Sequence, residues 1–168
     1  MLRLPKQTPL PEKAVKLLAA ENCRKLLQVP GGEEESPAFL CQSLTSLDGA
    51  SLMLSLDREH TGLGRGLVRS LWFDRPITVW LCQGDISLRG QAWAYRCHIV
   101  GPAFSQMRAL AQARNPMGDI ACAWQLLPEE WTQANETPPP PKGLPAGPPE
   151  LHLDHPLLHG GNAPAAKK

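Results

Sequence analysis

Apolar and polar positions along this chain alternate in short runs, and helical spacings interrupt those runs three times. Residues 1–10 read as an arm. Pro11 then opens a helical pattern in which Val15, Leu17, Leu18 and Cys23 give a mostly helical spacing, with proline suited to the first turn. Cys23 to Val29 reads as a first strand, and the Gly/Glu/Pro-rich stretch of residues 30–37 as an exposed turn. Residues 38–47 run extended toward Asp48-Gly49, a dipeptide that predicts a two-residue hairpin between apolar runs. Beyond it, Leu52, Leu54 and Leu56 alternate with Ser51, Met53 and Ser55, the pattern of a strand with one drier face.

A polar, basic crossing follows, and a helix is predicted from its end through Leu67, Leu71 and Trp72, with Thr61 as N-cap. Asp74-Arg75-Pro76 stops it, because a residue before proline leaves helical space. Ile77 to Cys82 is β-branched and aromatic throughout, the strongest strand pattern in the chain. After a turn at Gln83-Gly84-Asp85, Ile86 to Val100 reads as a long strand, with Gly90 marking a bulge or bend. Phe104 to Ala113 carries helical spacing, and Ile120 to Leu127 is the last strand, closed by residues 128–131. Hairpins outnumber helical crossovers in this order. The fold class is therefore mainly β with α, a six-stranded antiparallel sheet closing into a small barrel with flanking helices.

Composition sets the limits of that domain. Half of the 18 prolines fall after Trp131, where no aromatic residue remains. Such a segment cannot bury enough apolar surface to offset its ordering entropy, so residues 132–168 read as a disordered Pro-rich tail and 11–131 as the domain. A formal net charge of +1 gives no global field for nucleic acid or an anionic membrane. No apolar run approaches the roughly 20 residues that cross a bilayer, and the charged, proline-bearing N-terminus does not read as a signal peptide, which predicts a cytoplasmic protein. The five cysteines include no C-x-x-C pair, and each sits among apolar neighbours, so reduced core thiols are expected.

Candidate chemistry gathers at the start of the second helix. Unpaired backbone N–H groups there form a ready anion site, and Arg58, His60, Arg65 and Arg69 surround it. Gly62, Gly64 and Gly66 do not make a dinucleotide fingerprint: the third glycine is one position early and no βαβ unit is present. They would weaken a helix interior, which suggests a first turn that wraps a ligand as a loop. His60 and His98 have no carboxylate at a motif spacing, so no catalytic pair is assigned. His152, His155 and His159 cluster in the tail, where a mobile segment is a simpler reading than a metal site.

The opening helix, the Asp48-Gly49 turn, the His60-Thr61 entry to a helix, the Ile86–Ala92 strand with Gly90 and Ala92, and the helix opened by Gly101-Pro102 together form a pattern. From Pro11 to Trp131 it resembles the FMN-binding split barrels of the pyridoxamine 5'-phosphate oxidase-like superfamily, and among them the small FMN-binding proteins. The resemblance implies a split barrel that holds FMN non-covalently at a homodimer interface, with the phosphate on basic and hydroxyl side chains after the third strand. His60 and Thr61 fall where a Lys-Thr or Arg-Thr pair is common, so Arg58 or Arg65 would supply the fixed charge. Gln42 and Ser43 fall at second-strand positions that reach the phosphate or the isoalloxazine edge. The pyridoxal-phosphate residues and the Arg- and Trp-rich C-terminal segment of true pyridoxamine 5'-phosphate oxidases have no counterpart here.

Two functions follow from these readings. One is a small flavoprotein, an oxidoreductase or electron carrier, dimeric because Trp80, Trp93 and Tyr95 are hard to bury in one small barrel. The other is an FMN-less split barrel that uses its Pro-rich tail as an interaction module.

Overall fold

The predicted elements form in the predicted order. The computed structural model describes residues 8–33 and 35–142. Within them lie α1 (Glu12–Ala19), β1 (Arg24–Gln28), β2 (Ala38–Leu40), β3 (Leu52–Leu56), α2 (Gly62–Phe73), β4 (Ile77–Gln83), β5 (Ile86–His98), α3 (Pro102–Arg114) and β6 (Cys122–Gln133). Residues 1–7 of the predicted arm, and residues 143–168 of the predicted tail with its three histidines, lie outside the described residues. No helix among the described residues is long and apolar enough to cross a membrane.

The strands make one antiparallel sheet in the order β2-β1-β4-β5-β6-β3. Curling brings its two edges together. Thr45, just beyond β2, exchanges two backbone hydrogen bonds with Met53 of β3, at 2.8 and 2.7 Å, and this bridge is the seam of a split barrel.

Four local departures from the sequence pattern have physical causes. First, the extended run over residues 38–47 ends at Leu40. The Gln42 side chain accepts from the Lys25 N–H at 2.9 Å and donates to the Cys23 carbonyl at 3.1 Å, filling the edge of β1 that a longer β2 would cover. Second, Asp48-Gly49 is no two-residue hairpin, because residues 46–52 all lie between the paired Thr45 and Met53. The Asp48 carboxylate organises this wider turn by accepting from the N–H groups of Ala50 and Ser51 and from the Ser51 hydroxyl. Burial pushes that carboxyl's pKa up, and these donors outweigh it, leaving it lowered. Third, β3 has two dry faces, since Met53 is buried as deeply as its leucine neighbours. Fourth, β6 continues to Gln133 through Pro128. Pro128 sits opposite Ala92, where the β5–β6 register shifts after Gly90 and a ladder N–H is not required.

The barrel interior is filled by Leu27, Leu52, Leu54, Val79, Leu81 and Leu126 among others, and α1 covers one end with Ala14, Leu17 and Leu18, leaving Val15 exposed. A second cluster of Met53, Met107, Ile120 and Ala123 fixes α3 to the outer face of β3 and β6.

The glycines of α2 are helical, and their purpose is close packing. A Cβ at Gly66 would lie 2.2 Å from Cγ2 of Val29, and one at Gly62 would lie 2.7 Å from the Phe39 ring. A Cβ at Gly64 would lie 2.3 Å from the Glu59 carbonyl. Helix α2 therefore lies directly on the sheet. Ser70, 1% exposed, completes the contact by accepting from the Ala94 N–H at 3.0 Å and donating to the Arg75 carbonyl at 2.6 Å. Gly66→Ala should destabilise the protein by about 1–3 kcal/mol through overpacking, although alanine is the better helix former. In a Val29→Ala background the same substitution should lose that penalty. Urea unfolding of the four proteins of this cycle tests the contact, and additive effects would count against it.

Candidate functional site

The start of α2 is built as the sequence predicts. Thr61 is extended, with φ −123° and ψ 167°, and its Oγ1 accepts from the Gly64 N–H at 2.9 Å. That bond turns the chain from the crossing after β3 into the helix. It leaves the hydroxyl proton of Thr61 free to serve an external acceptor.

Arg65 and Arg69, one turn apart, form a ridge between two cavities. On one side is a cavity of about 450 Å³ lined by His60, Arg65, Val68, Arg69, Cys97 and Trp124, with Glu59, Gly64 and Cys122 completing its wall. Its wall is largely apolar, supplied by α2 and by the facing ends of β5 and β6. On the other side is a groove of about 370 Å³ lined by Gly31, Gly32, Phe39, Gly62 and, again, both arginines, with Glu35 and Lys142 at its border. Neither arginine makes a hydrogen bond or ion pair with a protein group among the described residues.

Of the predicted site residues, His60, Thr61 and Arg65 come together at this helix start, and Arg58 is exposed on the crossing just before it. Gln42 and Ser43 are engaged with the protein itself. Gln42 bridges to β1 as described, and the Ser43 hydroxyl accepts from the Ser55 N–H at 3.0 Å and donates to the Ser55 carbonyl at 3.2 Å. Neither lines the two cavities. Cys97 and Cys122, expected as core thiols, line the larger cavity together with Trp124. Their common face follows from period-2 alternation, because Cys97 pairs with Trp124 and Cys122 lies two residues before it. Lys142 lies in the stretch that composition assigns to the tail, and nothing in its local pattern marks it.

The thiols are uneven in exposure: Cys97 is exposed, which corrects the expectation of five core thiols, while Cys23, Cys41 and Cys122 are buried. Burial, then neighbouring Cys97, pushes the Cys122 thiol up to about 12. Burial likewise pushes Cys41 up to about 11. Lys25 is buried too, with Nζ donating to the Leu44 carbonyl at 2.8 Å. Its desolvation lowers its pKa, and Arg114 adds to that shift. Among the described residues no group of three His, Cys, Asp or Glu side chains is placed to hold a metal ion.

Solved structures share this fold. An FMN-binding protein from Syntrophomonas wolfei superposes with a TM-score of 0.64 at 10% identity, over 76% of this chain and 87% of that one. The split-barrel fold is thereby shown. HupZ of Group A Streptococcus gives a TM-score of 0.62 at 11% identity, over 75% of this chain and 94% of its own. A candidate pyridoxamine 5'-phosphate oxidase from Lactobacillus delbrueckii gives 0.52 at 18% identity, over 77% and 99%. At these identities the likeness is one of fold. No protein-family model matches the sequence, and no curated protein matches it either.

The thiol environments predict selective chemistry. A thiol with pKa about 12 is ionised in roughly one molecule per ten thousand at pH 8, and only the thiolate is alkylated at a useful rate. Burial raises the Cys97 thiol as well, so exposure decides: iodoacetamide should modify exposed Cys97 in the folded protein and leave buried Cys41 and Cys122 intact until it unfolds, as read by peptide mass. A folded-state pKa raised above the ordinary 9.0 also means that stability falls as pH climbs from 9.0 through about 12.

Proposed function

We propose that this chain binds FMN non-covalently, with the phosphate on the α2 ridge and the isoalloxazine against the apolar wall beside it. The observation that carries this reading is the pair Arg65 and Arg69, without a hydrogen-bond or ion-pair partner among the described residues and set beside both a capped helix start and a cavity of about 450 Å³. That volume lies within the range of roughly 300–1,000 Å³ that small-molecule sites occupy. Arg65, Arg69 and the Thr61 hydroxyl would hold the phosphate, with Arg58 and His60 at its approach. Val68 and Trp124 offer the ring a dry surface. The FMN-binding neighbour from Syntrophomonas wolfei supports the assignment through shared fold. Bound flavin supplies one- or two-electron redox chemistry, and the protein's part is to bind and orient it and to set its electrostatic surroundings. Activity as an oxidoreductase or electron carrier in the cytoplasm completes the proposal.

The proposal includes a homodimer, on different grounds from those the sequence offered. Trp80 and Trp93 are buried within one chain, at 4% and 9% exposure, so they need no partner. Trp72 and Phe73 are 76% and 70% exposed at the C-terminal end of α2, and a second copy would cover them. The alternative, an FMN-less interaction module, draws support from the engagement of Gln42 and Ser43 in internal bonds.

Purified protein should be yellow, with a flavin absorbance spectrum and FMN released on denaturation. Arg65→Ala should weaken FMN binding by roughly 10- to 100-fold, the value of a charge-assisted hydrogen bond. Thr61→Val should cost less, and riboflavin should bind weakly and respond little to either change. If Arg65→Ala binds FMN like wild type, the phosphate lies elsewhere. If wild type binds no FMN, the interaction module replaces the flavoprotein.

Sedimentation at micromolar concentration should give a dimer, and a flavin-loaded monomer would refute the shared interface.

A further inference from the structure

The stretch after β6 does not leave the barrel. The Ala134 N–H donates to the Ser87 carbonyl at 2.8 Å, and the Lys142 N–H donates to the Ala38 carbonyl at 2.7 Å. Between these anchors Pro138–Pro141 border a cleft shared with Asn22, Arg24 and Ile86. The segment thus crosses from the β5 side of the sheet to its β2 edge, four successive prolines holding it extended at about 3.1 Å per residue. It ends by delivering Lys142 to the groove that already contains Arg65 and Arg69.

Three cations and one carboxylate, Glu35, line that groove, for a net charge of +2. None of the three cationic side chains donates to a protein acceptor among the described residues. Three like charges brought together with a single carboxylate between them remain in net repulsion, and a fold that gathers them from two distant parts of the chain leaves an attraction for an added anion. The two arginines present planar forks suited to phosphate oxygens, while a lysine contributes a mobile point charge.

We infer that Lys142 is a third cationic ligand for a phosphate group held by Arg65 and Arg69, so that residues 134–142 are part of the binding site. This rests on the reading that a phosphate-bearing ligand occupies the α2 ridge, and it names a residue and a segment which that reading does not include. A phosphate seated between the ridge and Lys142 links the C-terminal segment to the helix across the β2 edge. Ligand binding therefore fastens the segment down.

Calorimetric titration of the full chain with inorganic pyrophosphate, and separately with FMN, tests the inference. Wild type should bind pyrophosphate, Lys142→Ala should bind it about tenfold more weakly, and Lys142→Arg should restore most of the affinity. Glu35→Gln should strengthen binding, since it removes the opposing charge. Hydrogen exchange at the Lys142 amide should slow when pyrophosphate is added, a readout that a general loss of fold would not imitate. Lys142→Ala binding as tightly as wild type, or wild type failing to bind pyrophosphate, would overturn the inference. Pyrophosphate binding without FMN binding would support the anion groove and remove the flavin, so the two readings fail separately.

Discussion

The whole arrangement depends on how closely α2 can approach the sheet. At Gly66 the helix backbone lies where any side chain would overlap Val29, and at Gly62 it meets the Phe39 ring. A helix held that close cannot roll or slide by a turn without a clash. Its outer ridge, carrying Arg65 and Arg69, is therefore fixed relative to both β1 and the β5–β6 ends. The price is a helix whose first five residues include three glycines, each weakening it by about 1 kcal/mol relative to alanine. Tertiary contact, with the Thr61 cap, offsets that weakness. The cost of the glycines falls where the helix start borders the candidate site, a common place for a protein to accept local instability in return for position.

Ser70 and Trp131 show how the sheet is shaped to receive this helix. At the second irregularity of β5, between Ala94 and Arg96, the ladder is interrupted. The buried Ser70 hydroxyl takes the Ala94 N–H and would leave it unsatisfied if replaced by alanine. At the first, a Cβ on Gly90 would lie 2.6 Å from the Trp131 ring, so the indole rests on the bare backbone of the opposing strand. Together the two bulges coil β5 and β6, the longest strands, enough for the sheet edges to meet at Thr45 and Met53. Close helix packing and barrel closure are thus one solution, reached through residues that lack a side chain or carry a small polar one.

Much of this was legible from patterns with a local cause. Strand β4 is β-branched and aromatic, α2 has a hydroxyl N-cap and a proline stop, and Gly90 falls mid-strand where a bulge forms. What escaped is what depends on distant partners. The Asp48 turn widened because the Ser46, Ala50 and Ser51 groups around it bond to its carboxylate and to one another, whereas the dipeptide alone implies a tight reversal. The glycines of α2 looked like a ligand loop because their neighbours, Val29 and Phe39, lie more than twenty residues away in sequence. At the site, Thr61 and Arg65 were read from helix-start chemistry. Gln42 and Ser43 were placed by resemblance alone, and in the turn they occupy after β2 their side chains hold β1 and β3. Lys142 was invisible because composition speaks of average tendency, and one backbone bond to an edge strand is enough to reverse it over a few residues.

The sheet order carries a consequence for the order of events when the chain is made. Leu54 pairs with Trp124, seventy positions later, while β2, its near neighbour in sequence, pairs on the opposite edge. A chain emerging from the ribosome therefore exposes Leu52–Leu56, apolar on both faces and rich in leucine, long before its partner exists. Non-local pairing of this kind slows folding and leaves an open strand edge available to other nascent chains. The interval ends only when β6 is complete, so the last strand acts as the release step of biosynthesis. Translation speed across residues 57–121 sets how long that edge stays open.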